Sequence, residues 1–125
     1  MKIVNSSEAP PAVGPYAHAV RSGNLLFCSG QIPLDPATMQ LAGETAAEQA
    51  QQVFANVRAV LKAAGLDLGH VVKATVFLTD LAEFKAVNAV YAAAFAGHTP
   101  ARSTVQVAAL PLDARIEIEV VAECP

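Results

Sequence analysis

The sequence predicts an α+β fold in which a mixed β-sheet carries two helices packed on one face. Three observations lead there. Two segments, one from Ala46 to Ala64 and one from Leu81 to Phe95, repeat apolar residues at three- and four-residue steps, the period of a helix with one buried side. The other apolar runs are short, rich in β-branched and aromatic residues, and bounded by Gly, Pro or Asn, as strands are. The elements follow in the order β, β-hairpin, α, β, α, β, β, so two helices are available to cover one sheet face. The second face has no helix left to cover it, which predicts association of the chain with itself.

"KIV", residues 2–4, reads as a short strand, and "EAPPAVGPY" after it as a Pro/Gly-rich loop. "AHAVRS" (17–22) and "LLFCSG" (25–30) flank Gly-Asn, a suitable two-residue turn, and form a hairpin. Pro33 and Pro36 keep "QIPLDPATMQLAGE" irregular. The first helix starts at Thr45, which with Glu48 matches a capping box, each side chain expected to serve the other residue's orphan N–H. Ala46, Ala50, Val53, Phe54, Val57, Val60, Leu61 and Ala64 form its apolar stripe, and Gly65 ends it, with Leu66 free to fold back. "HVVKATVFL" (70–78) reads as a central strand. Asp80 is the expected N-cap of the second helix, with Leu81, Phe84, Val87, Tyr91 and Phe95 on its buried side and Gly97 as its stop. "STVQV" and "RIEIEVVAE" close the chain as strands on either side of the turn-like "LPLDA".

Size and composition narrow the function. The 125 residues suit one domain, 1–125, without repeats or linkers. Charged residues make up 15% of the chain, against roughly 25% in an ordinary soluble domain. So little charge again predicts that part of the surface is covered by further copies. The net charge is −3 and the eight Lys and Arg residues are scattered, which argues against nucleic acid as the main partner. No segment is apolar for long enough to be a signal peptide or a membrane span. Cys28 and Cys124 are too few for a disulfide framework, and a cytoplasmic, reduced setting fits.

Familiar catalytic sets are missing. His18, His70 and His98 are single and widely spaced, so no metal is expected, and no nucleotide-binding glycine loop or nucleophile elbow occurs. Cys28 lies in a predicted strand, as a small buried hydrophobe does. Two charges remain. Arg102 stands at the start of "STVQV", and Glu117 lies on the strand "RIEIEV", whose Ile116, Ile118 and Val120 share one face while Arg115, Glu117 and Glu119 share the other. Both can be solvated strand residues, or Arg102 half of a structural ion pair. Alternatively they flank a pocket, where a guanidinium grips a small carboxylate through two parallel hydrogen bonds and a partly desolvated carboxylate positions or deprotonates a water.

The stretch "PARSTVQVAALPLDARIEIEVVA" (100–122) closely resembles the C-terminal signature of the Rid family of reactive-intermediate deaminases, also called YjgF. "APPAVGPYAHAV", "LLFCSGQIPLDPATM", "NVRAVLKAAGL" and "VVKATVFLTDLAEFKAVNAVYAAAF" extend the resemblance, in the family's order, over essentially the whole chain. It implies a chorismate mutase-like fold, a homotrimer with a barrel-like centre, and active sites in clefts between subunits. The implied reaction is hydrolysis of 2-imino and 2-enamino acids, released by pyridoxal-phosphate enzymes, to 2-keto acids and ammonia, with no cofactor. Carried over by position, Arg102 takes the substrate carboxylate, Glu117 positions the water and Tyr16 belongs to the catalytic set. Ser29, Gly30, Asn88 and Thr104 fall on substrate-binding positions. Thr104 is a departure, since many members have cysteine there. Two alternatives stay open: a non-catalytic trimer that binds small carboxylates or acts as a chaperone, and an endoribonuclease.

Overall fold

The computed structural model describes residues 1–125. Strands β1 (Lys2–Val4), β2 (Ala19–Ser22), β3 (Leu25–Cys28), β4 (Val71–Leu78), β5 (Ala101–Gln106) and β6 (Ile116–Glu123) form one sheet, in the order β1-β2-β3-β6-β4-β5. Helices α1 (Ala46–Ala63) and α2 (Phe84–Phe95) lie against it. Only β4 and β5 pair in parallel. A strand that returns through a helix lies parallel to the one it left, and α2 is that connection. Gly23 turns the β2–β3 hairpin with a φ of 62°, in the left-handed region that a tight hairpin turn needs.

The period of two on β6 decides which face is core. Ile116, Ile118, Val120 and Ala122 are buried and share their side with Ala74, Val76 and Leu78 of β4. Against them α1 sets Val53, Phe54, Val57, Val60 and Leu61, all buried. Each such side chain stabilises the fold by about 1.5–3 kcal/mol through burial. The opposite face carries Phe27, Lys73, Thr75, Phe77 and Glu119 and has no helix over it; Phe27 is 48% exposed.

The helix ends differ in part from expectation. Thr45 Oγ1 accepts from the Glu48 N–H at 3.1 Å, but Glu48 turns to that same hydroxyl instead of the Thr45 N–H. The first N–H of α1, on Ala46, is satisfied by Glu83 Oε1 at 2.9 Å, from the far side of the sequence. At the other end Leu66 N–H donates to Leu61 O and Gly65 N–H to Lys62 O, a Schellman closure with Gly65 at φ 75°. Asp80 caps a short 3-10 turn, Leu81–Glu83, and α2 begins only at Phe84. Leu81 therefore points outward, 44% exposed, instead of joining the buried stripe. Ala96, not Gly97, is the first left-handed residue after α2, at φ 50°.

Candidate active site

A cleft of about 650 Å³ opens beside β6. Its walls are the loop residues Pro10, Pro11, Val13 and Tyr16, the segment Ser29–Leu34 after β3, the tip Pro111–Leu112, and the outward carboxylates Glu117 and Glu119. Two of these walls are each held by a buried polar side chain. His18, buried at the root of the first loop, accepts the Ser6 N–H at Nδ1 (2.9 Å) and donates from Nε2 to the Pro10 carbonyl (2.8 Å). Those two partners require a neutral ring protonated at Nε2. Asn56, buried on α1, donates to the carbonyls of Ile32 (3.1 Å) and Leu34 (2.9 Å) and fixes the second wall.

Gln31 and Ile118 exchange backbone hydrogen bonds at 2.9 and 3.1 Å, and this short pairing lays Gly30 directly over Glu117. A side chain at Gly30 would press on the Glu117 carboxylate, because a Cβ there would stand 2.9 Å from Glu117 Cδ. The Ser29 hydroxyl donates to the Ala17 carbonyl at 2.7 Å, joining the hairpin to the Tyr16 loop. Tyr16 itself is half-exposed and has no hydrogen-bonded partner for its hydroxyl within the chain.

Glu117 is half-buried, and no lysine or arginine lines the cleft. Burial pushes its pKa above the usual carboxylate range, and the charge of Glu119, two residues on along the same face, pushes the same way. A carboxylate held like this has a heightened affinity for a proton and is suited to accept one from water and return it. Cys28, at the end of β3, is a poor nucleophile: burial raises its pKa to about 12. No three His, Cys, Asp or Glu side chains are grouped to hold a metal ion.

Arg102 lies elsewhere. The parallel register pairs Arg102 with Ala74 and Thr104 with Val76, so both point to the helix-bearing side of the sheet, opposite to Glu117. There Arg102 Nη1 donates to Asn88 Oδ1 of α2 at 2.7 Å, and its guanidinium carbon lies 4.7 Å from the Tyr91 ring centre and 5.4 Å from that of Phe84. It has no carboxylate partner; the chain's ion pairs are Lys62–Glu8, His70–Asp67 and Arg115–Glu83. The Thr104 hydroxyl and the Tyr91 hydroxyl are buried without partners. Burial raises the Tyr91 pKa, and the nearby Arg102 charge partly offsets this.

The seven sequence-derived positions thus fall into two groups. Tyr16, Ser29, Gly30 and Glu117 meet in the cleft, while Arg102, Asn88 and Thr104 gather on the other side of the sheet; within one protomer the groups do not meet. Sequence reasoning passed over Glu119 and Gln31 as wall residues and Asn56 and His18 as anchors. Glu119 was signalled by its two-residue spacing from Glu117, whereas nothing local marks the other three.

A mixed six-stranded sheet backed by two helices, with a carboxylate cleft on one side and an unpaired arginine on the other, matches a known class of small α+β proteins. The profile of the family described as Endoribonuclease L-PSP matches residues 6–124. Protein DfrA of Myxococcus xanthus is 51% identical over 97% of this chain and 94% of its own length. The 2-iminobutanoate/2-iminopropanoate deaminase of Escherichia coli K12 is 48% identical over 97% of this chain and 96% of its own. The crystal structure of E. coli TdcF with bound serine superposes with a TM-score of 0.94 at 43% identity, covering 100% of both chains. The chain belongs to this family, the Rid or YjgF family.

Proposed function

We propose that this chain hydrolyses 2-imino and 2-enamino acids to 2-keto acids and ammonia, as a homotrimer whose sites lie between subunits. The observation that carries the reading is the division of the site: an arginine with no carboxylate partner on one sheet face, and a half-buried carboxylate with no cation in its cleft on the other. Each group lacks what the other supplies. A site assembled from two protomers brings the Arg102 group of one to the Glu117 cleft of its neighbour, and the uncovered sheet face gives the contact that does so. The 48%-identical deaminase of E. coli and the serine bound in TdcF, a small molecule with a carboxylate, support the same substrate class.

The chemistry asks little of the protein. An enamine first takes a proton at C3 to become the imine. Water then adds to C2 of the protonated imine, its oxygen forming the new bond while the π pair of C=N moves to nitrogen. Glu117 accepts the proton that the water loses and delivers it to the amino group. The C–N bond then breaks with its electron pair leaving on ammonia, while the hydroxyl oxygen forms the carbonyl and gives its proton to the freed Glu117 carboxylate. Arg102 holds the carboxylate and so fixes C2 over the water; Tyr16, Ser29 and Gly30 shape the cleft around it. Such a substrate arises from pyridoxal-phosphate enzymes that eliminate water from amino acids, which links this chain to them functionally.

The test couples the protein to a threonine dehydratase and follows keto-acid release. Wild-type protein is expected to accelerate release, and Arg102→Ala to lose roughly 10²- to 10³-fold in kcat/KM, the worth of a charge-assisted bidentate pair. Arg102→Lys should fail as well, because an ammonium lacks the planar fork. No acceleration by wild-type protein, or full activity in Arg102→Ala, refutes the reading. A purely carboxylate-binding trimer would instead tolerate Glu117→Ala. The RNA cleavage in the family's description finds little support in a chain with 8 basic against 11 acidic residues.

A further inference from the structure

Arg102 stands on β5, the edge strand of the sheet, and is exposed. A long exposed side chain normally samples many rotamers, and a ligand that fixes it must overcome that freedom. Here the freedom is already restricted. One N–H is spent on Asn88 Oδ1, and the flat guanidinium rests against two aromatic rings from one helix, Tyr91 at 4.7 Å and Phe84 at 5.4 Å. Tyr91 itself packs against the core, with ring centres 4.6 Å from Phe95 and 5.9 Å from Phe54. The pose of the arginine is therefore referred back through rings to the buried centre of the protein.

We propose that Phe84 and Tyr91 are positioning residues, an aromatic clamp that together with Asn88 holds the Arg102 guanidinium ready for the substrate's carboxylate. The inference rests on the reading of Arg102 as the carboxylate grip. A ring quadrupole attracts the cation's face and leaves its N–H edge free, and the edge is what a carboxylate binds. The Tyr91 hydroxyl, buried without a partner, has no share in this. It is the ring that the position uses, which separates Tyr91→Phe from Tyr91→Leu.

Two measurements test the clamp. In wild-type protein the 15N heteronuclear NOE of the Arg102 Nε–H, assigned by its loss in Arg102→Lys, is expected to match the rigid backbone, and to fall in Phe84→Leu and Tyr91→Leu. In the coupled assay both leucine variants should raise KM roughly 3- to 30-fold with kcat changed about two-fold or less, the pattern of lost ground-state binding, while Tyr91→Phe keeps the wild-type KM. A mobile Arg102 Nε in wild-type protein overturns the clamp, whether or not any variant folds. So do wild-type KM values in both leucine variants, or a raised KM with Arg102 still rigid. Full activity in Arg102→Ala overturns it from the other side, by removing the role of Arg102 while the wild-type NOE stays high.

Discussion

Replacing Gly30 by alanine adds one methyl group, and the structure fixes where it goes. The new Cβ would stand 2.9 Å from Glu117 Cδ and 3.1 Å from Cγ, and closer still to Oε2. Carbon atoms rest about 3.5–4.0 Å apart, so the Glu117 carboxylate must retreat by about 1 Å. Gly30 is not among the glycines with positive φ, so alanine meets no backbone strain, and the effect reports on the carboxylate alone. A displacement of that size at a catalytic group costs roughly 10²-fold in rate, or about 2.7 kcal/mol of transition-state stabilisation. Because Glu117 can swing toward the open cleft, the fold itself should lose about 1 kcal/mol or less, the low end for overpacking. The coupled deaminase assay reads the first quantity and urea unfolding the second. Gly30→Ala with wild-type kcat/KM would refute the claim that Glu117 acts from its present position. A loss of several kcal/mol in stability would show that the carboxylate has nowhere to go.

Further outcomes follow from the same geometry. Because the charge of Glu119 raises the pKa of Glu117, Glu119→Gln should move the acid limb of kcat/KM to lower pH; a pH profile of the two proteins checks this. The stability sign is opposite to that of an ion-paired acid: the folded state holds the Glu117 proton more tightly than the unfolded chain. Its contribution is present below the unfolded carboxylate pKa and lost as pH rises through the folded one, and Glu117→Gln should flatten that slope in urea titrations at several pH values. His18→Leu leaves the Ser6 N–H and the buried Pro10 carbonyl without partners, and should cost about 2–4 kcal/mol in urea unfolding. Gly65→Ala should cost about 1–2 kcal/mol, because the Schellman closure of α1 holds that residue at φ 75°.

The pattern of apolar residues made the elements legible because helix and strand periods are local properties. The 3.6 period of α1 and the alternation on "RIEIEV" need only neighbours along the chain. What the helix ends did was less visible, because Glu83 caps α1 from 37 positions away, and a capping motif records only nearby groups. The candidate site shows the same division more sharply. Glu117 was readable as outward-facing from its own strand. Which way Arg102 points depends on the register between β5 and β4, and that is set by the α2 crossover rather than by "ARSTVQV" itself. Pairing Arg102 with Ala74 places it on the helix side; a slip of one residue would have placed it with Glu117. Strand alternation is therefore what forbids one protomer from joining the two charges. A single sheet lies between them, which is why the proposed site draws Arg102 and the Glu117 cleft from two copies of the chain. In the proposed assembly the two unmatched charges, far apart within a protomer, have one explanation: each is left unpaired there because its counterpart arrives with the neighbour and the substrate.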